Sequence, residues 1–110
     1  MDERTRRIGL NEALFREVNE RVEELTRGFG IDDEQIEVLC ECGNQACVER
    51  IEMTLPDYRR VRADSRTFAI VPGHEIPDVE SVVERRGAFD VVMKHAGEPA
   101  EVAEETDTTT

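Results

Sequence analysis

The three cysteines of the chain, Cys40, Cys42 and Cys47, lie within eight consecutive residues, in the string CECGNQAC. Thiolate sulfur is a soft ligand, and several thiolates on one turn are typical of tetrahedral zinc or of an iron–sulfur cluster. Cysteines also serve as small core residues, but three in eight positions beside glycine and polar residues make a poor core pattern. We therefore predict a metal site, with one zinc ion per chain as the simplest occupant and iron as the alternative.

Tetrahedral zinc takes four ligands, so the cysteines leave one position to be filled. His74 is the predicted fourth ligand, because it follows a Pro-Gly turn that would hold its imidazole in place. The alternatives are His95, which borders the acidic tail, a carboxylate of Glu41 or Glu75, and a water molecule. Four protein ligands would make the site closed and structural, whereas a water ligand would leave it open for chemistry.

Two strands are expected to carry the cysteines. Apolar and polar residues alternate over residues 35–40 and again over residues 49–55, which predicts a β-hairpin with the metal at its tip. Gly43 would permit the backbone turn between the first two cysteines. A third strand is predicted over residues 67–71, and it leads into the turn before His74.

A short middle helix and a second hairpin complete the predicted fold. Residues 54–57 have the pattern of a capped helix start, and the helix would turn Leu55, Tyr58 and Val61 inward. Residues 79–94 are rich in valine and favour a hairpin turned at residues 86–88, with a helix over 79–86 as the alternative. The sequence therefore predicts an α+β fold with an N-terminal amphipathic helix, a short antiparallel sheet of hairpins and one middle helix, clasped by zinc.

The N-terminal helix is predicted from Asn11 to about Arg27, and its apolar residues form one stripe. The stripe consists of Leu14, Phe15, Val18, Val22 and Leu25. We expect the stripe to pack on the protein's own sheet, because fewer than four heptads are short for an independent coiled coil. The alternative is a partner surface, for another protein or for a homodimer.

Composition and charge limit both the size of the core and the classes of partner that the protein can bind. Hydrophobic residues make up 38% and aromatic residues 5%, so the core is thin and a structural metal would offset that deficit. The net charge of −12 disfavours nucleic acid and anionic membranes as partners. Grouped cysteines without long-range spacing fit a reducing cytoplasm. We expect one domain over residues 11–95, a frayed charged N-terminus over 1–10 and a disordered acidic tail over 96–110.

The cysteine string resembles the zinc segment that follows the SET domain in protein lysine methyltransferases. In that segment a C-x-C-x4-C run supplies three thiolates, and the fourth ligand comes from elsewhere. Cys40, Cys42, Gly43 and Cys47 carry the resemblance. It implies the geometry of a zinc site and implies nothing about methyl transfer.

At the level of the whole chain, residues from about 11 to 94 resemble a family of short uncharacterised bacterial proteins. The resemblance is carried by FREVNER at 15–21, the CEC…C knuckle, LPDYRRVR at 55–62, PGH at 72–74 and the valine-rich hairpin. It implies one compact domain and adds no reaction.

We predict a small structural-zinc protein that acts as a binding or regulatory module, and no catalytic residues. A thiol-based redox or metal sensor is the alternative, since clustered thiolates can be oxidised with release of zinc. A zinc hydrolase would need Glu41 or Glu75 as its base. Nucleic-acid binding would use Arg59, Arg60, Arg62 and Arg66, which we instead expect to be solvated or ion-paired.

Overall fold

A computed structural model describes residues 3–28, 35–44 and 46–107 of the chain. The helices and strands follow one another as α1 (Glu3–Gly28), β1 (Gln35–Leu39), β2 (Arg50–Thr54), α2 (Leu55–Arg62), β3 (Thr67–Ile70), β4 (Glu80–Arg85), β5 (Asp90–Lys94) and α3 (Glu98–Glu105). The predicted α+β class is confirmed, and so are both hairpins and the middle helix.

The strands form two antiparallel sheets. One is the β1–β2 hairpin, in which Val38 faces Ile51 and Ile36 faces Met53. The other has the order β3-β5-β4, with a β-bulge at residues 82–84 of β4. The buried faces of the two sheets share one hydrophobic core. Valine side chains fit a pleated, half-buried surface, which is why residues 79–94 form a hairpin rather than a helix.

Helix α2 begins as the sequence predicts. Thr54 lies in the extended conformation, and its hydroxyl accepts a hydrogen bond from the backbone N–H of Asp57 at 3.2 Å. The residues Leu55, Tyr58 and Val61 are buried, as predicted. Helix α2 follows the hairpin directly and connects through residues 63–66 to β3.

The predicted orientation of α1 is wrong. The apolar residues Leu14, Val18 and Leu25 are exposed, and Phe15 and Val22 are only partly buried. The face that packs on the protein is mostly polar and consists of Ile8, Gly9, Glu12, Arg16, Asn19 and Glu20. Periodicity located the helix correctly, but hydrophobicity alone could not show that its polar side chains satisfy buried backbone groups.

The predicted ends of the chain also differ from the structure. Helix α1 already begins at Glu3, so residues 3–10 are helical rather than frayed. Residues 98–105 form α3, whose Ala100, Val102 and Ala103 are buried, so the tail is not disordered over this range. Gly9 lets α3 approach α1, since a Cβ there would collide with Val102. The ends 1–2 and 108–110 lie outside the described residues.

The charged residues of α2 and its neighbours are ion-paired, as predicted. Arg59 pairs with Glu23, Arg60 with Glu84, Arg62 with Glu20 and Asp107, and Arg66 with Asp64. Among the described residues, no helix combines the length and apolar character that a membrane span requires.

Candidate metal centre

The four predicted ligands come together. One ligand atom from each of Cys40, Cys42, Cys47 and His74 lies within 4.8 Å of all the others. The Nδ1 atom of His74 is 3.6 Å from Sγ of Cys40 and 3.7 Å from Sγ of Cys47. Zinc bonds of about 2.3 Å to sulfur and about 2.0 Å to nitrogen, at tetrahedral angles, separate S and N by roughly 3.6 Å. These two separations fit a tetrahedral zinc ion, and the four side chains together could hold a metal ion.

The hairpin places the cysteines and the β3 turn places the histidine. The backbone N–H of Cys40 donates to Glu49 O at 2.9 Å, which extends the β1–β2 pairing beyond the strands. In the turn after β3, the N–H of His74 donates to Val71 O at 3.0 Å, and Gly73 has φ +91°. That φ favours glycine, so the Pro-Gly pair before His74 sets the turn that aims the imidazole at the cysteines.

Glu41, between the first two cysteines, points away from the cluster and into the core. Its Oε2 accepts hydrogen bonds from the Tyr58 hydroxyl at 2.8 Å and from Asn19 Nδ2 at 2.9 Å. Its Oε1 accepts from the backbone N–H of Ala69 at 3.0 Å, while the N–H of Glu41 donates to Ala69 O at 2.8 Å. Burial raises the pKa of the Glu41 carboxyl. The Glu41 side chain thus connects the cysteine loop to β3 and α2 by hydrogen bonds. It is positioned neither to bind a metal ion nor to act as a catalytic base.

Two asparagines of α1 form hydrogen bonds with the backbone on either side of Cys40 and Cys42. Asn19 accepts from the N–H of Leu39 at 2.7 Å and donates to its carbonyl at 2.8 Å, as a neighbouring strand would. Asn11 donates to the carbonyl of Gly43 at 3.1 Å. Gly43 is needed for space rather than for a positive φ, because a Cβ there would overlap Ile8. The polar face of α1 therefore supports the metal centre directly.

The three thiols differ in acidity. The hydrogen bond from Cys40 lowers the pKa of Cys42 to about 5, and the same bond, together with burial, raises the pKa of Cys40. Burial raises the pKa of Cys47. The sulfur of Cys40 also accepts the backbone N–H of Val71 at 3.2 Å. A metal ion must displace the protons of Cys40 and Cys47, so its affinity is expected to rise with pH.

The sequence reasoning missed Glu49. Its carboxylate oxygen lies 3.0 Å from Nε2 of His74, while Nδ1 of the same ring faces the cysteines. Carboxylates that accept the second N–H of a metal-bound histidine fix its tautomer and its orientation. Glu49 begins the predicted second strand, and nothing in the sequence pattern distinguishes it from the other exposed acids.

We expect Glu49→Gln to weaken metal binding about 10-fold and Glu49→Ala up to about 100-fold, because the imidazole loses its orienting acceptor. Competition with a chromophoric chelator would measure both affinities. Glu52→Ala, which removes an exposed glutamate of β2, is the matched control. Equal affinities for Glu49→Ala and wild type would contradict this role.

None of the other candidates for the fourth ligand belongs to the group of converging ligand atoms among the described residues. Nε2 of His95 is 2.9 Å from the Ser81 hydroxyl, in the second hairpin. Glu41 is turned into the core. Glu75, the neighbour of His74, has a buried Oε1 without a hydrogen-bond partner among the described residues. His74 is therefore the ligand that the structure brings to the cysteines.

Comparisons of the chain with family models, with curated protein sequences and with solved structures give no match. The two resemblances drawn from the sequence stay predictions.

Proposed function

We propose that this chain is a small structural-zinc protein that acts as a protein-binding module. The observation that carries the proposal is the group formed by Cys40, Cys42, Cys47 and His74, whose ligand atoms lie within 4.8 Å of one another. Three soft thiolates and one imidazole suit zinc, and the separations of Nδ1 from the sulfurs of Cys40 and Cys47 fit its bond lengths.

A structural role for zinc is supported by the closed set of ligands. Four protein ligands occupy all positions of a tetrahedral ion and leave none for a reacting water molecule. Cys40 and Cys42 are each 1% exposed, so the ion would sit against the core. The site joins the tip of the β1–β2 hairpin to the turn after β3, and binding would hold these two segments together.

A binding role is supported by the exposed apolar side chains of α1. Leu14, Val18 and Leu25 are 58%, 42% and 67% exposed, whereas Glu12 and Arg16 on the opposite face are buried. Contiguous apolar side chains on one helix face are typical of sites that bind another protein. The alternative role, a thiol-based redox or metal sensor, stays a prediction.

The two histidines of the chain provide the test. We expect His74→Gln to bind zinc more weakly than wild type, measured by competition with a chromophoric chelator, because water replaces the imidazole and only three protein ligands hold the ion. His95→Gln is the matched control and should retain one zinc per chain, since its ring contacts Ser81 instead. A zinc affinity of His74→Gln equal to that of wild type, or folded wild type that binds no metal, would overturn the proposal.

A further inference from the structure

The exposed face of α1 is apolar along much of its length. Leu10, Leu14, Val18 and Leu25 are between 42% and 67% exposed. At 3.6 residues per turn they fall within a sector of about 80° and extend over roughly 23 Å of the helix. We call these four residues the outer stripe, and Phe15 and Val22 flank it, partly buried.

The charges along this face are arranged unevenly. Near the start of α1, Arg6 and Arg7 are exposed beside Glu3, and in its second half Glu17 and Glu24 are exposed on either side of Arg21, so the first half of this face is net positive and the second half net negative. Two copies packed in parallel would set the arginines against each other and the glutamates against each other. Two antiparallel copies would instead set Arg6 and Arg7 of one copy near Glu24 of the other, twice by symmetry. The face is therefore complementary to itself in the antiparallel orientation.

From these observations we infer that a second copy of this chain covers the outer stripe, as an antiparallel pair of α1 helices about a twofold axis. With the axis near residue 16, Leu14 of one copy packs on Val18 of the other, and Leu10 packs near Val22. The inference rests on the proposed binding role of α1 and identifies the protein that α1 binds as a second copy of this chain.

The usual objection to a short helix pair does not apply here. An isolated coiled coil of fewer than four heptads is marginal, because pairing must also offset the entropy of ordering both helices. In this protein α1 is already ordered by its polar face, through Glu12, Arg16 and Asn19. Association then requires little further ordering of α1, which lowers the entropic cost that the apolar contact must offset.

Because each chain carries a net charge of −12, the effect of salt on binding distinguishes a second copy of this chain from a basic protein as the partner. Long-range repulsion between two like-charged chains is screened by salt, so the dimer is expected to persist or tighten as salt is added. A basic partner held by the acidic surface would instead be released by salt. The apolar contact between the two stripes supplies the affinity, and the charges set the orientation.

The test is the mass of the protein in solution, measured by sedimentation equilibrium over a concentration series. Wild type is expected to reach twice the 12.5 kDa of one chain. The double variant Leu14→Asp/Val18→Asp should raise the dissociation constant at least about 100-fold, since each copy then places two carboxylates in an apolar contact. Val83→Asp, at an exposed valine on β4, is the matched control and should remain dimeric.

A charge reversal tests the orientation without removing any apolar contact. Glu24→Arg alone should weaken the dimer, and adding Arg6→Glu/Arg7→Glu should restore it, because the pairs are re-formed with opposite sign. A monomeric wild type, or a dimer that Leu14→Asp/Val18→Asp leaves intact, would overturn the inference. Zinc content is read on the same samples by native mass spectrometry. A zinc-loaded monomer would leave the structural role of the metal standing, and a metal-free dimer would overturn that role alone.

Discussion

Replacing Cys42 with serine is expected to remove the metal and most of the protein's stability. The sulfur of Cys42 is buried at the centre of the cluster, and serine offers a poor ligand to zinc in its place. Structural zinc sites contribute on the order of 10 kcal/mol of binding free energy near neutral pH, which becomes folding free energy. A domain of this size has a total stability of about 5–15 kcal/mol, so the loss is decisive.

The measurement is urea unfolding of wild type and variant, each with and without a strong chelator. The chelator should destabilise wild type and leave Cys42→Ser unchanged, because the variant has no metal to lose. A variant as stable as zinc-loaded wild type would contradict the structural role. A variant that is destabilised, but still responds to the chelator, would show that Cys42 matters for packing and not for the metal.

Replacing Lys94 is expected to have the second-largest effect. Lys94 is the only lysine of the chain, and its Nζ contacts Glu12 and lies 2.8 Å from Glu80 Oε1. The three side chains are no more than 1% exposed. Lys94→Met would leave two buried carboxylates without their cation, and breaking a buried ion pair in this way costs about 3–5 kcal/mol.

The effect of Lys94→Met should depend on pH. Burial raises the pKa of Glu12 well above its usual range, although Lys94 opposes the shift. A carboxyl whose pKa is raised by folding contributes most stability when protonated, and it loses that contribution as the pH rises through the folded-state value. The variant should therefore fall furthest below wild type at mildly alkaline pH and recover part of the difference at mildly acidic pH.

The free energies of unfolding of variant and wild type are compared at each pH with zinc in excess. Protons then compete with zinc for the cysteine thiolates to the same extent in both proteins. Arg50→Met is the matched control, since Arg50 and Glu37 form an exposed pair at 3.8 Å that should contribute little. Adding Glu12→Gln to Lys94→Met should restore part of the stability by removing one buried charge. A Lys94→Met variant as stable as Arg50→Met would contradict the importance of this ion-pair group.

The local elements and most of the cluster that could hold a metal could be predicted from the sequence, because they depend on short-range patterns. The alternation around the cysteines and the cap at Thr54 are set by neighbouring residues. His74 could be predicted as the fourth ligand because it follows a Pro-Gly turn, whereas His95 borders the acidic tail. Each of these inferences needed few residues and no knowledge of tertiary contacts.

The orientation of α1 could not be predicted, because it depends on groups far along the chain. Asn19 packs inward since it satisfies both backbone groups of Leu39, which no helical pattern reveals. Arg16 is buried since it donates to the carbonyls of Ser65 and Ala103. Hydrophobicity ranks such residues as exposed, and only the completed fold supplies their acceptors. The sequence feature that indicated a polar packing face was the FREVNER string, in which the polar residues at 16, 19 and 20 are spaced to lie on one face of the helix.

The packing of α3 against α1 has a consequence for the order in which the molecule forms. The contact between Arg16 and Ala103 spans 87 residues, and contacts of long sequence separation close the largest loops and tend to form late. During synthesis α1 emerges first, before the knuckle backbone and the α3 carbonyl that its polar side chains bind. We therefore expect α1 to complete its packing only after α3 has been made.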